Sequence, residues 1–444
     1  MSFRNLQTVI RALDYGVTAQ DITGISYPVG LAHNWRRPYF LSSAFQTDVV
    51  AGAYDSAEER TALRSRPVRS SKSLHTAIGR EAVWALRAYS EGLSSGLPLP
   101  VPIYSDQATV KSLGGGFFRV NEDLTLRRFF VGQVLVLTDP RGASLYNATV
   151  DSNVSSVYCV VTNILGDAIS YSGATGTIAA GMYVFPCFQA LARTSSESVG
   201  EDLSPLVSSL ELSCKESVVA SSVLPPVQQD YDLTPYGFDT GPSALGPLPV
   251  LQGEHNWRST VRARSERPVE QYLSGRSTLA RVRGEHSFAE TIETGHLDRA
   301  SFWRILRFFE SRLGRTRPFW YVPDRLLLPR LASFSAGQTT LTFDRIGYHS
   351  AVASRLDGLY FVLPSGATSL QEIVSVSPVS ADSIEVVVDP GMPAGLDTSA
   401  SRIYPAFYAR LSSDVLDEEW ETTSIVQAKL SVEQLHNLQT IEIP

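Results

Sequence analysis

The sequence predicts a mainly β fold with a few helices (a β-rich α+β class), in which two homologous modules follow one another along the chain. Three observations predict it. A four-residue string recurs far along the chain, short runs of β-branched and aromatic residues are separated by turn residues, and each half contains one helical pattern. The closely spaced strand signals predict a small β-barrel inserted in each module, and the helix should pack against a sheet.

The repeat is the most informative of these observations. Three landmarks recur in the same order, at offsets of 222, 220 and 219 residues. A tetramer that contains both His and Trp seldom recurs by chance, and this period far exceeds the roughly 20–50 residues of a solenoid unit. It therefore predicts one domain used twice, which is more typical of an assembly protein than of a second active site. The landmark pairs are His33-Asn34-Trp35-Arg36 with His255-Asn256-Trp257-Arg258, Leu86-Arg87 with Leu306-Arg307, and Pro186-x-Phe188-x-Ala190 with Pro405-x-Phe407-x-Ala409.

The composition is that of a globular chain. Its 444 residues are 43% hydrophobic and 19% charged, which allows substantial cores and, on length alone, about three domains. No apolar run approaches the roughly 18 residues of a membrane span, and the start, MSFRNLQTVIRAL, lacks the apolar core of a signal peptide. Cys159, Cys187 and Cys214 show no C-x-x-C spacing, so we expect buried free thiols made in a reducing compartment.

Charge is spread unevenly along the chain. Residues 255–330 hold 15 Arg, no Lys and 8 acids, whereas 412–444 hold seven acids and one Lys, and the net charge is −7. Arg is favoured over Lys in interfaces because its planar group makes bidentate contacts, although GC-rich coding also favours Arg. Opposite charge zones in one chain suit head-to-side assembly of copies. The overall acidity opposes DNA binding.

Composition shifts and turn signals divide the chain into four parts. The linking segment is rich in Pro and Gly and should be extended and semi-rigid. The predicted parts are an N-terminal arm (1–26), module one (27–224, with a barrel at about 107–180), a connector (225–248) and module two (249–444, with a barrel at about 330–400).

The best helical pattern lies in module two. Asp298 is a suitable N-cap and Gly314 a suitable C-terminal stop. Between them an apolar stripe at helical spacing predicts a face packed against a sheet, and module one has a similar stripe that ends near Gly96. The two stripes are Phe302, Leu306, Phe309 and Leu313, and Ile78, Ala82, Leu86, Tyr89 and Leu93.

Strand signals surround the helix in each module. Before it lies an Arg-studded polar stretch that predicts strands with one wet face. After it lies a Pro-rich segment that ends in Asp106 or Asp324, where the prolines indicate an edge or irregular strand. Short strand-like runs then predict the barrels, and a longer run leads out of each. The Arg pairs are Arg64 and Arg66, and Arg281 and Arg283; the exit runs are Tyr183–Leu191 and Tyr404–Leu411.

No arrangement typical of catalysis or metal binding is found in the sequence. The seven histidines form no H-E-x-x-H pair, Gly114-Gly-Gly116 lacks the order of a phosphate loop, and no G-x-S-x-G elbow is present. A glycosidase carboxylate pair stays open, since the fold sets such pairs. The acids Asp414, Asp417, Glu418, Glu419 and Glu421 lack the Gly turns of a calcium loop and indicate a solvated face. We therefore predict no enzyme activity, catalytic residue, cofactor or metal site.

Three segments carry a resemblance to a known family. They are E-x-R-x-x-L-R-x-R-P (Glu58–Pro67), G-R-x-R-P-F-W-Y-V-P-D (Gly314–Asp324) and x-Y-P-x-F-x-A-x-L (Ile403–Leu411). With the helix and the small β-domain between them, the chain resembles distal-tail and baseplate-type structural proteins of long-tailed bacteriophages. The resemblance implies β-sandwich-like ring domains, each with a packed helix and an inserted small barrel. This chain differs from the single-module pattern by having two modules.

The resemblance implies a structural virion protein that forms a ring at the distal end of the tail. Such a ring joins the tail tube protein to the hub and tip proteins, binds itself, and leaves a channel for DNA without specific nucleic-acid contacts or a membrane partner. It is assembled in the host bacterial cytoplasm and ends in the virion tail. We expect a homotrimer with pseudo-sixfold symmetry, with a hexamer as the alternative. The alternative function is a tail protein that binds or degrades host-surface glycan.

Eight residues are candidates for structural or interface roles. The repeated His and Trp should be buried or hydrogen-bonded within each module, and the Arg pair should contribute to subunit contacts. The candidates are His33, Trp35, His255, Trp257, Arg281, Arg283, Trp320 and Asp324.

Overall fold

The computed structural model confirms the mainly β class. The described part contains many antiparallel strands and a single α-helix. The tandem duplication itself remains a prediction. The structure describes residues 35, 37–51, 58–64, 66–78, 98–138, 157–174, 176–191, 200–204, 207–216, 233, 237–242, 247–253, 258–264, 269–273, 276–280, 287–323, 335–344, 356–379, 383–394 and 401–435.

The first half of the chain contributes thirteen described strands and two short 3-10 turns, Tyr104–Asp106 and Leu124–Leu126. The strands are β1 (Tyr39–Ala44), β2 (Thr47–Ala51), β3 (Glu58–Ala62), β4 (Val68–Ile78), β5 (Pro98–Pro102), β6 (Ala108–Gly114), β7 (Phe117–Val120), β8 (Val134–Thr138), β9 (Val157–Leu165), β10 (Ala168–Ser172), β11 (Tyr183–Leu191), β12 (Gly200–Ser204) and β13 (Val207–Glu216).

The second half contributes the remaining described strands and the helix α1 (Arg299–Ser311). The strands are β14 (Thr240–Gly241), β15 (Leu248–Gln252), β16 (Arg258–Arg264), β17 (Val269–Leu273), β18 (Arg276–Ala280), β19 (Ser287–Glu293), β20 (Leu297–Asp298), β21 (Phe319–Val322), β22 (Thr340–Asp344), β23 (Gly358–Val362), β24 (Thr368–Pro378), β25 (Ser383–Asp389), β26 (Arg402–Leu411), β27 (Val415–Trp420) and β28 (Ile425–Gln434).

A run of eight antiparallel strands forms the centre of the molecule. Its order is β12–β13–β4–β1–β27–β28–β19–β16. The first four strands come from the first half of the chain and the last four from the second. The hairpins β2–β3 and β17–β18 form separate two-stranded sheets.

The small barrel predicted for the first half is present and closed. Six antiparallel strands pair in the circular order β6–β7–β10–β9–β8–β11 and back to β6. Alternate residues point into the barrel and fill it, as the period of two requires. The interior is apolar, and its fully buried members include Phe118, Leu135, Leu137, Cys159 and Ile169.

The second half carries a related small sheet in the order β22–β25–β24–β23–β26. Leu341, Leu359, Phe361 and Val388 lie in its core, each 1% exposed or less. In both halves one long strand leaves the small sheet and enters the main one. β26 pairs with β23 through its first residues and with β21 and β28 through its last, as β11 pairs with the barrel and then with β5 and β13.

The helix α1 is the one the sequence predicts. The Asp298 side chain accepts a hydrogen bond from the Ser301 amide at 2.7 Å and so caps the N-terminus. Gly314 follows the helix with a φ of +64°, a left-handed conformation that glycine adopts at little cost. The predicted stripe is buried: Phe302, Leu306, Phe309 and Leu313 belong to the main core.

The structure corrects one expectation and excludes one of two alternatives in another. Ile78, placed at the start of the module-one helical stripe, is the last residue of β4 and pairs with Val207; the rest of that stripe lies outside the described residues. The Pro-rich segment of the second half is not an edge, since β21 pairs with β15 on one side and β26 on the other. Its prolines, Pro318 and Pro323, flank the four-residue strand, so no ladder N–H is lost.

Candidate functional site

The candidate site is the joint where the two halves of the chain meet, through β1 and β27. Their six residue pairs run antiparallel from Tyr39 opposite Trp420 to Ala44 opposite Val415. β27 alternates between exposed and buried residues, so that Leu416, Glu418 and Trp420 face inward. This pairing makes one sheet out of two four-stranded units.

Apolar packing continues across the joint. Tyr39 and Trp420 are both fully buried in the main core, which contains residues of both halves. The Trp420 ring meets Phe302 of α1 edge-on, with ring centroids 5.2 Å apart, and Tyr39 meets Tyr104 in the same way at 5.7 Å. Such edge-to-face pairs add to the stabilisation that burial alone provides.

A buried network of four charged side chains lies behind β27. The Arg128 Nη2 atom lies 2.5 and 2.7 Å from the two carboxylate oxygens of Glu418, and its Nη1 atom lies 3.1 Å from Asp106 Oδ2. Arg299 Nη1 donates to the other oxygen of Asp106 at 2.8 Å. Two cations therefore face two anions, so the charges balance where water is excluded.

Four separate segments place these side chains. Asp106 ends the 3-10 turn that leads from β5 into the barrel, and Arg128 follows the second 3-10 turn. Arg299 is the first residue of α1, and Glu418 lies in the middle of β27. Arg299 also donates to the carbonyl oxygens of Ser105 and Thr423. The network thus ties the entrance of the first barrel to the helix and last strands of the second half.

Electrostatics differ between the two buried carboxyl groups. Burial alone would raise the pKa of Asp106, but the guanidinium groups of Arg128 and Arg299 outweigh it and hold the pKa below its usual range. Burial raises the pKa of Glu418 above its usual range, although Arg128 and the indole of Trp420 act to lower it. The difference follows from the partners: Asp106 faces two cations, and Glu418 faces one.

Aromatic rings surround the cations. The Arg299 guanidinium carbon lies 4.6 Å from the centroid of the Trp420 ring, and that of Arg128 lies 5.9 Å from Phe302. The Trp420 Nε1 atom donates to Glu418 at 3.0 Å. With every side chain engaged by another, the arrangement is suited to clamping two parts of a fold together.

A cavity of about 640 Å³ lies elsewhere in the second half, between the end of β15, helix α1 and the small sheet. Asp239 accepts hydrogen bonds there from the hydroxyls of Tyr360 and Thr368, at 2.6 and 2.7 Å. Arg304 lines the same cavity and donates to the Gly237 carbonyl at 3.0 Å. These contacts hold the connector against the small sheet.

Metal-binding clusters and transmembrane helices are both absent from the described part of the chain. No group of three or more His, Cys, Asp and Glu side chains converges there as a metal site would require. Among the helical segments that the structure describes, none has the length and hydropathy that a transmembrane helix needs.

Two of the eight predicted structural or interface residues lie in the described part. Trp35 is half-buried and packs against the main core. Trp320 is fully buried in β21, where its ring stacks on Tyr408 with centroids 3.8 Å apart. Neither belongs to the joint. The other six lie outside the described residues: His33, His255, Trp257, Arg281, Arg283 and Asp324.

The acidic run near the C-terminus corrects one interpretation. The composition of Asp414, Asp417, Glu418, Glu419 and Glu421 predicts a solvated face, which is wrong for two of them. Glu418 is 1% exposed, and Asp414 accepts hydrogen bonds from the amides of Thr47 and Arg315. The signal that marks Glu418 is the alternation of Leu416, Glu418 and Trp420 along a strand. No local pattern marks Arg128 as its partner.

Comparisons with protein-family models and with curated protein sequences found no match to this chain.

Proposed function

We propose that this chain is a structural virion protein that joins copies of itself into a ring at the distal end of a bacteriophage tail. In that position it links the tail tube to the hub or tip and to the host-binding proteins. The proposal rests on the sequence resemblance quoted above and on the arrangement of the main sheet. It assigns no catalytic residue, cofactor or metal.

The order of strands in the main sheet carries the self-assembly part of the proposal. The unit β12–β13–β4–β1 is followed by the unit β27–β28–β19–β16. The last strand of the first unit, β1, pairs with the first strand of the second unit, β27. This is a head-to-tail contact between unlike edges. Contacts of this heterologous kind generate closed rings where the repeated rotation closes, and open filaments where it does not.

The expected ring is a homotrimer with pseudo-sixfold symmetry, in which the two halves alternate around a channel. In a chain with two modules, half of the ring contacts lie within a chain, which removes part of the entropy cost of association. The joint described above is one such contact. The alternative is a hexamer in which each chain spans two tiers.

Native mass spectrometry combined with electron microscopy of the purified protein tests the assembly. We expect a three-chain species and ring-shaped particles, with dissociation as salt is raised because charged edges contribute to the contacts. A six-chain species would replace the trimer by the hexamer. A monomer that persists at the high concentrations reached during virion assembly would contradict the ring altogether.

The place in the virion needs a separate test. Gold-labelled antibodies raised against the purified protein should mark the distal end of the tail in particles of the phage that encodes it. Label on the capsid, along the whole tail, or absent from intact and opened particles would contradict the tail assignment while leaving ring formation untouched.

Among the described residues, a cavity that bears on the alternative, binding or degradation of host-surface glycan, is the one near Asp239. Sugar sites present exposed aromatic faces, but Tyr360 and Tyr404 in this cavity are only 1% and 3% exposed. We therefore favour the structural role. Hydrolysis of host polysaccharide by the purified protein, abolished by substitution of one carboxylate, would reverse that preference.

A further inference from the structure

The two outer strands of the eight-stranded sheet are β12 and β16. Among the described residues, β12 pairs with β13 and β16 with β19, and neither has a partner on its other side. An unpaired strand edge presents a row of N–H and C=O groups that readily adds another strand. Each of these two edges can therefore pair with one further strand.

The strand pairings of the two halves repeat in register. In the first half Ala190 pairs with Glu216, and in the second Ala409 pairs with Gln434. Ala190 and Ala409 are the last residues of the Pro-x-Phe-x-Ala landmark found in both halves. This landmark therefore aligns β11 with β26 and β13 with β28.

The same alignment extends to the remaining strands of each unit. Lys215 pairs with Ser70 as Glu433 pairs with Ala289, which aligns β4 with β19. Ser42 pairs with Ser70, and Arg262 with Ala289, so β1 aligns with β16.

Pairing within each half also aligns β12 with β27. Gly200 pairs with Leu210, and Glu418 pairs with Ala428. Gly200 of β12 therefore corresponds to Glu418 of β27, an offset of 218 residues. Ser42 of β1 corresponds to Arg262 of β16, an offset of 220 residues. The free edges β16 and β12 are thus the counterparts of β1 and β27, the two strands that already pair within the chain.

We propose that β16 of one copy pairs antiparallel with β12 of the next copy, in the register of the joint within the chain. Phe40 opposite Glu419 in that joint corresponds to Thr260 opposite Glu201 between copies. The partner at each free edge is a second copy of this chain. This inference rests on the proposed ring and names the strands that close it.

The charges on the two edges support this pairing. β16 reads Arg-Ser-Thr-Val-Arg-Ala-Arg and contains no acid, whereas β12 reads Gly-Glu-Asp-Leu-Ser and contains no base. In the proposed register Arg258 and Arg262 stand two positions on either side of Thr260. They are therefore the diagonal neighbours of Glu201, a spacing at which opposite charges on paired strands attract.

The joint between copies differs from the joint within the chain in the residues of its inward face. The counterparts of Tyr39 and Trp420 are Ser259 and Asp202, so the buried aromatic pair is absent. The counterpart of Glu418 in β12 is Gly200, which carries no carboxylate. The buried network around Arg128 therefore has no equivalent there. The joint within the chain is fixed by buried charges, and the joint between copies relies on strand pairing and screened charges, so salt should open the second and spare the first.

Cysteine pairs give a direct test. The double variant Thr260→Cys with Glu201→Cys is treated with a short bismaleimide under native conditions and analysed on a denaturing gel. The native thiols give little background, because burial raises the pKa of Cys159 and of Cys214 to about 12 and that of Cys187 further still. We expect a ladder of cross-linked chains that ends at the number of copies in the ring.

The matched control is Phe40→Cys with Glu419→Cys, the same pair within one chain. It should give a cross-linked peptide on digestion and no increase in chain mass. If the unmodified protein assembles but the Thr260–Glu201 variant yields no ladder while this control reacts, the strand assignment is wrong and the ring stands. If the unmodified protein never assembles, both proposals fail.

Charge reversal gives a second, independent measurement. Arg262→Glu and Glu201→Lys, made singly, should each raise the concentration needed for half-assembly by about tenfold or more, since each places like charges together. Combined in one chain they restore one opposite-charge pair while the new lysine stays diagonal to Arg258, so assembly should recover in part. Single variants that assemble like the unmodified protein would overturn the proposed register.

Discussion

Arg128 and Glu418 are 290 residues apart in the chain, yet the Nη2 atom of Arg128 lies within 2.7 Å of both carboxylate oxygens of Glu418. Both side chains are at most 4% exposed. A buried ion pair of this kind adds little stability over an apolar one, but it is costly to break. We infer that the pair makes the docking of the two halves specific more than it adds to stability.

Replacement of Arg128 by Met should strongly destabilise the fold. The change leaves Glu418 buried without its cation and removes one of the two cations of Asp106, which typically costs about 3–5 kcal/mol. Urea unfolding followed by tryptophan fluorescence measures the loss. The control is Arg119→Met, which breaks an ion pair with Asp167 whose side chains are 50% and 39% exposed. It should lower the free energy of unfolding by less than about 1 kcal/mol. Equal losses for the two variants would contradict a structural role for the buried network around Arg128.

The stability that Asp106 contributes should depend on pH. Its folded-state pKa lies below the value of about 3.9 in unfolded chains, so the contribution is complete above that pH and is lost progressively as pH falls towards the folded pKa. The difference in unfolding free energy between the natural protein and Asp106→Asn should thus be large at pH 7 and shrink below about pH 4. Denaturant titrations at several pH values measure it. A constant gap down to pH 3 would show that folding does not lower the pKa of Asp106.

Trp320→Ala should be among the most destabilising single changes. The ring is fully buried, stacks on Tyr408, and donates from Nε1 to the Pro242 carbonyl at 2.9 Å. A Cβ atom added at Gly241 would lie 2.7 Å from this ring, so the space between the ring and the backbone of Gly241 is already filled. Loss of a buried aromatic side chain costs about 3–5 kcal/mol. Trp320→Phe retains part of the stack on Tyr408, so its melting temperature should fall clearly less than that of Trp320→Ala. Similar falls for the two variants would assign the stabilisation to the hydrogen bond with the Pro242 carbonyl.

Asp298→Ala should cost about 1 kcal/mol, because it removes the N-cap of α1. Asp298→Asn retains an acceptor for the Ser301 amide and is the matched control. The capping bond also lowers the pKa of Asp298, so its contribution is present above about pH 4 and fades as pH falls. Chemical denaturation at pH 7 and pH 3 compares the three proteins. A penalty for Asn as large as that for Ala would mean that charge, not the capping bond, matters.

Local patterns predicted those elements whose signals lie within one segment. Asp298, Gly314 and the apolar stripe between them define α1 because capping and helical spacing act over a few residues. The first barrel was predicted for the same reason, from strands separated by short turns. Ile78 shows the limit: its apolar side chain suits the last position of a strand as well as a helical face, and pairing with the distant β13 decided the outcome.

The site was harder to predict because its parts are far apart in sequence. Glu418 lies among four other acids, and composition alone indicated a solvated face. Its burial depends on Arg128, which follows a turn in the other half, and no spacing rule links them. Each predicted module has a Pro-rich segment that ends in Asp, and the candidate chosen from the sequence was Asp324 of module two. The aspartate that belongs to the buried charged network is Asp106 of module one.

The joint between β1 and β27 has a consequence for the order of synthesis. The ribosome makes β1 and Arg128 early, and β27 with Glu418 near the end of the chain. A product truncated before β27 therefore retains Arg128 and Asp106 but lacks Glu418, and its β1 strand lacks the neighbour with which it pairs. Such a product still contains β16, but it lacks β28, through which β19 and β16 join the main sheet. Only a chain that includes β27 and β28 can therefore form both the joint within the chain and the proposed contact between copies.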